Sequence, residues 1–118
     1  MRSVKILLTV ISLTLFLLAG LTPAGAGDKG PTPKELYKQN CRVCHDKNSP
    51  HGEYSPMTLI QDQWKKFFTT KFIPAHQEVL LPGQNKKLLE ALTPEQIKAI
   101  QKYCVDHAAD SEQPQSCS

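Results

Sequence analysis

Cys41 and Cys44 are separated by two residues and followed at once by a histidine, in the run Cys41-Arg42-Val43-Cys44-His45. Two thiols at this spacing can add across the two vinyl groups of a haem, giving thioether bonds that fix the macrocycle to the chain. The neighbouring imidazole is then held where it can bind the iron from one face. C-x-x-C-H is a haem-attachment pattern, and histidine is a common axial iron ligand. The sequence therefore predicts one covalent haem c, attached through Cys41 and Cys44, with His45 as its proximal iron ligand. Covalent tethering also suits a small chain, whose core cannot by itself enclose so large a group.

Rival chemistries fit the same residues less well. A thioredoxin-like redox pair needs a strand–helix context, whereas the flanks here read as helix and then polar loop. A structural zinc site needs two more ligands at paired spacing. Cys104 and Cys117 are too far apart for that, with His107 the only well-spaced addition. An exported compartment would permit a Cys104–Cys117 disulfide pinning the C-terminal tail, against a buried thiol plus an unpaired terminal one.

The elements that must position the motif are helical. Thr32-Pro33-Lys34-Glu35 has the form of a capped helix start: a capping threonine, a proline in the first turn and a glutamate three residues after the cap. It predicts a helix from Pro33 to Asn40 that runs into Cys41. Asp46 to Tyr54, with Pro50 and Gly52, reads as loop. Ser55-Pro56 starts a second helix, along which Met57, Ile60, Trp64, Phe67 and Phe68 form an apolar stripe until Pro74 ends it. Lys86 to Leu92 predicts a short helix. Thr93-Pro94-Glu95-Gln96 starts the last one, with Ile97, Ile100, Tyr103 and Cys104 on its apolar face to about Ala108. No segment shows sustained alternation of β-branched residues, so the expected class is all-α, a small helical domain wrapped around one covalently attached haem. Its core spans about residues 32–108, and residues 109–118 form a polar tail.

A helix leading into C-x-x-C-H, with a closing helix that begins Leu92-Thr93-Pro94-Glu95-Gln96-Ile97, resembles the small monohaem class I cytochromes c. The resemblance implies that the first and last helices cross beside the haem, and that a third helix precedes the loop carrying the second axial ligand. In that loop the family usually has methionine. This sequence offers Ile73-Pro74-Ala75-His76 instead, and its only methionine past the leader, Met57, comes earlier. His76 is therefore the expected distal ligand, giving bis-histidine ligation, with Met57 as the alternative. A methionine ligand would raise the reduction potential, and two imidazoles are expected to leave it lower. His51 has little room to round the haem edge, and His107, at the end of the last helix, fits a surface or propionate-contacting role. Without either distal ligand the chain would be a haem enzyme or gas-binding sensor with a vacant or labile sixth position.

The N-terminus predicts export. Arg2 and Lys5 precede an apolar run from Ile6 to Leu21, about 16 residues and short of the ~20 that cross a bilayer. Ala24-Gly25-Ala26 then supplies a small-residue cleavage site. Residues 1–26 thus read as a secretory signal and 27–118 as the domain, periplasmic or otherwise extracytoplasmic, with no stable membrane span after cleavage. Fourteen Lys and Arg face eleven Asp and Glu, and two of the basic residues belong to the leader. The rest is nearly neutral, which gives no case for nucleic acid. Trp64, Phe67, Phe68 and Phe72 are expected near the haem, as a dry shell that bears on its potential. Lys65, Lys66, Lys71, Lys86 and Lys87 could form a docking face for an acidic partner or simply a solvated one. No general acid, paired carboxylate or nucleophile set is visible. The expected function is an electron carrier, not an enzyme, with transient redox donors and acceptors. A fixed subunit of a larger redox complex is the other arrangement the sequence allows.

Overall fold

Thr32 sets the first helix. Its Oγ1 accepts from the Glu35 N–H at 3.3 Å, and its own N–H donates to the Glu35 carboxylate at 2.7 Å, so two N-terminal amides are satisfied reciprocally. The computed structural model describes residues 29–116; the leader expected at 1–26 and the terminal Cys117 lie outside the described residues. From Pro31 the chain forms one compact unit.

Helix α1 (Pro33–Tyr37) widens into a π-helical turn, Lys38–Arg42, and continues as α2 (Val43–His45). The helical run therefore outlasts the expected end at Asn40 and carries the whole C-x-x-C-H motif. Nothing in the sequence breaks it sooner. It stops at Asp46, where the backbone turns extended and the carboxylate takes the Lys47 N–H at 2.8 Å.

The expected single helix from Ser55 to Pro74 is three pieces. A 3-10 turn (Pro56–Thr58) is followed by an extended break at Leu59–Ile60, then α3 (Gln61–Thr70) and α4 (Phe72–His76). Gln63 explains the first break, since its side-chain oxygen accepts the Ile60 N–H at 3.2 Å and starts a new helix. Pro74 does not end a helix. It is the third residue of α4, in the first turn, where a missing N–H leaves no intrahelical bond unmade. Residues 77–87 form an irregular loop closed by one bridge between Leu80 and Lys87, with Leu81 N–H donating to the Lys86 carbonyl at 3.0 Å. Helix α5 (Leu88–Ala91) is shorter than expected, and α6 (Pro94–Asp106) begins on the Thr93 cap as its sequence predicts.

The described residues are mostly helical and contain no strand beyond that bridge. Helix α6 packs against α1 and α3. Its Ile100 and Cys104 are fully buried against Leu36, Tyr37, Trp64 and Leu92, and the Tyr37 and Tyr103 ring centres lie 5.6 Å apart. Burying one large apolar side chain is worth about 1.5–3 kcal/mol. The ion pairs Arg42–Asp46, Lys65–Asp62, Lys87–Glu78 and Lys102–Asp106 are all at the surface, where each contributes about 0–1 kcal/mol. The core, not the charges, holds the helices. The start of the expected polar tail is docked as well. Ala109 N–H donates to the Leu59 carbonyl at 3.1 Å, and Asp110 accepts the Gln61 N–H at 2.8 Å. No helix among the described residues is long and apolar enough to cross a membrane.

Candidate functional site

The helical run to His45 and the α3–α4 pair border a cleft of about 730 Å³. That volume falls among the roughly 300–1,000 Å³ of small-molecule and cofactor sites. Cys41, Cys44 and His45 line it from the motif, and Trp64, Phe67, Phe68, Phe72 and His76 line it from α3 and α4. Among the described residues its only Lys, Arg, Asp or Glu is Lys71, which makes none of the ion pairs above. The lining is otherwise apolar or neutral at its walls.

Two histidines from distant parts of the chain meet there. The ring centres of His45 and His76 are 6.3 Å apart, with planes inclined at 78°. Each Nδ1 is committed to a backbone carbonyl: His45 to Gly52 at 3.0 Å and His76 to Phe72 at 2.7 Å. A carbonyl only accepts, so both Nδ1 atoms carry the proton, and in the neutral ring Nε2 is the basic atom. Histidines that bind metals are held in this way, with the second nitrogen anchored to an acceptor. Two imidazoles binding one metal ion from opposite sides, at a bond of about 2.0 Å and about 1.1 Å further to each ring centre, would stand about 6 Å apart. The observed separation fits.

The segment after the motif holds His45 at three points. Besides the Gly52 carbonyl, the Tyr54 N–H donates to the His45 carbonyl at 3.1 Å, and the Tyr54 ring meets the imidazole edge-to-face at 5.0 Å. The hydroxyl of Tyr37, a buried residue of α1, donates to the Tyr54 carbonyl at 2.7 Å. Gly52 adopts φ +90°, and a methyl there would stand 2.7 Å from Tyr54 Cε2. Sequence reasoning singled out neither Gly52, Tyr54 nor Tyr37 as site residues. A glycine in the loop seven residues after the motif's histidine is the one available signal, and on its own it predicts no more than loop.

The remaining candidates fall elsewhere. Met57 is 43% exposed on the 3-10 turn and does not line the cleft. His51 lines the cleft but is exposed. His107 caps α6, its Nδ1 bonded to the Gln113 carbonyl at 2.7 Å, away from the cleft. Cys104 is buried on α6, and the partner expected for it, Cys117, lies outside the described residues. His76 is not in a loop as the family pattern implied but in the last turn of α4, because Pro74 opens that helix instead of closing the previous one. Lys65 pairs with Asp62, and Lys87 with Glu78, whose hydrogen bond raises the Lys87 pKa; Lys66, Lys71 and Lys86 are exposed.

The donor set narrows the chemistry. The strand–helix context of a thioredoxin-like pair is missing among the described residues. Among the described residues no group of three or more His, Cys, Asp and Glu is gathered to hold a bare metal ion. Two thiols beside one imidazole, a second imidazole, and an aromatic cleft are the residues that a covalently tethered metallo-macrocycle requires. The chain matches no protein-family model, no curated protein and no solved structure.

Proposed function

We propose that the chain is an exported electron carrier with one c-type haem, tethered by thioether bonds to Cys41 and Cys44 and ligated by His45 and His76. The observation that carries the reading is the pair of imidazoles 6.3 Å apart, each with Nδ1 tied to a carbonyl, in the cleft that both motif cysteines line. When bound, the group supplies a one-electron couple at its iron that needs no substrate position.

The chain's own residues do the rest. His45 and His76 offer Nε2, the atom left basic by the carbonyl bonds. Phe67, Phe68 and Phe72 keep water from the cleft, and a dry shell of this kind controls solvent access and redox potential. Met57, exposed on its own turn, is poorly placed to compete with His76. The leader at residues 1–26 directs the chain out of the cytoplasm, where donor and acceptor proteins dock transiently.

The test is to express the full chain with a cytochrome c maturation system and purify the mature protein. A mass one haem above the polypeptide, a pyridine haemochrome of thioether type and a low-spin six-coordinate spectrum in both oxidation states are expected. A near-infrared band of methionine ligation in the oxidised protein would overturn His76. Rapid, complete binding of carbon monoxide to the reduced protein would replace the carrier with a sensor or haem enzyme. A colourless protein of polypeptide mass would end the haem reading.

A further inference from the structure

Aromatic side chains recur every fourth residue from α3 into α4: Trp64, Phe68, Phe72 and His76. Positions four apart share a helix face, and here the rings form a ladder that crosses the break at Lys71. The Trp64 and Phe68 centres are 6.1 Å apart, Phe68 and Phe72 stack at 4.9 Å with 27° between planes, and Phe72 lies 4.7 Å from His76 at 33°. The ladder is fixed at its base, where buried Trp64 donates Nε1–H to the Pro56 carbonyl at 2.7 Å.

Phe72 thus holds His76 twice. Its carbonyl accepts the hydrogen bond from Nδ1–H, which fixes the tautomer, and its ring lies against the imidazole at a tilt of 33°, which opposes rotation of the plane. Phe72 is itself immobilised, being 3% exposed and backed by Phe68. Phe67 meets His76 only edge-on, at 6.4 Å and 86°. His45 is held by an unrelated segment, Gly52 to Tyr54. The two planes are therefore set independently, and they stand 78° apart.

We propose that Phe72, backed by Phe68, is the positioning residue that keeps the His76 ring nearly perpendicular to that of His45. The proposal rests on the bis-histidine haem reading and adds to it a defined electronic state. In low-spin ferric iron the unpaired electron occupies one of two π-type d orbitals. Parallel imidazoles both raise the same orbital and split the pair. Perpendicular imidazoles raise one each and leave the two nearly equal, so the orbital moment is large and the electron paramagnetic resonance signal is highly anisotropic. Outer-shell contacts that orient a ligand are one of the protein's levers on a haem.

The experiment is frozen-solution paramagnetic resonance of the oxidised holoprotein, parent against Phe72→Leu, Phe72→Tyr and Phe68→Leu. The parent is expected to show the highly anisotropic low-spin signal. Phe72→Leu keeps the backbone carbonyl and removes the ring, so it is expected to stay six-coordinate and low-spin while losing that signal for an ordinary rhombic one. Phe72→Tyr, which retains the stacking face, is expected to preserve it. Phe68→Leu removes only the backing and is expected to broaden the signal or shift it the same way, and this variant decides the matter if Phe72→Leu does not fold. A rhombic parent signal, or parent-like signals from Phe72→Leu and Phe68→Leu, would overturn the proposal. Those outcomes require a haem-loaded, low-spin protein, so they are distinct from a colourless preparation, which would instead defeat the bis-histidine haem reading.

Discussion

Replacing Gly52 by alanine should destabilise the protein by about 1.5–3.5 kcal/mol, and the structure separates the contributions. At φ +90° a residue with a Cβ is strained by about 1–2 kcal/mol. The added methyl would also lie 2.7 Å from Tyr54 Cε2, closer than carbon atoms approach. Tyr54 is exposed and its ring can swing aside, so the overlap itself is relieved cheaply. Swinging aside, however, breaks the edge-to-face contact with His45 at 5.0 Å, worth about 0.5–1.5 kcal/mol. Gly83 is the internal control. Its φ is +70°, but a methyl there meets nothing within 4 Å, so Gly83→Ala should show the backbone strain alone. Urea denaturation of the two variants beside the parent reads both values. At about 4–8 °C per kcal/mol for a domain of this size, the Gly52 variant should also melt about 6–28 °C below the parent. Equal losses for the two glycines would refute the claim that the Gly52–Tyr54 segment braces His45. So would a loss at Gly52 under about 1 kcal/mol.

Three other outcomes are expected. His76→Ala should open the distal position of the haem protein, so that the reduced variant binds carbon monoxide rapidly and completely where the parent does not; unchanged binding would remove His76 from the ligand pair. Trp64→Phe leaves the buried Pro56 carbonyl without its 2.7 Å partner and should lose about 1–3 kcal/mol of stability in the same urea assay, a loss below about 0.5 kcal/mol counting against it. Glu35 should titrate below the ordinary range for glutamate, because the Thr32 N–H and then the Thr32 hydroxyl donate to its carboxylate. Its folded pKa is depressed, so the stability it contributes is present above that ordinary range and fades as pH falls through the folded value. A carboxyl titration by nuclear magnetic resonance checks this, and Thr32→Ala, which removes the hydroxyl, should move the titration part of the way back.

The helix starts at Thr32 and Thr93 were legible in the sequence because capping is local: the cap and its partner lie three residues apart, and both boxes form as the residue types require. The middle of the chain was harder. Met57, Ile60, Trp64, Phe67 and Phe68 match a helical stripe, yet Gln63 competes for the Ile60 amide and splits the run. A periodicity of apolar residues does not register which side chain will claim a backbone N–H. Pro74 suggests a terminator because proline ends helices from within, whereas in a first turn it is harmless. The cysteines and His45 were legible from spacing alone. That His76 comes to 6.3 Å from His45 depends on two helix breaks, at Leu59–Ile60 and Lys71, whose backbone angles leave no mark in the residue pattern. The support from Gly52 and Tyr37 was hidden for a similar reason, since it uses backbone carbonyls that every residue possesses.

The wide turn at Lys38–Arg42 acts as a phase shifter between two duties of one helical run. Leu36 is buried in the core, while Tyr37, Cys41, Cys44 and His45 line the cleft. In a regular helix each residue advances the direction of its side chain by about 100°, and in the wider i→i+5 turn by less, so the number of residues in Lys38–Arg42 helps set the direction in which both thiols and the imidazole leave the helix. What matters in that stretch is how many residues it has, more than which ones. A tether that looks like a five-residue signature is thus aimed by a count made before it begins.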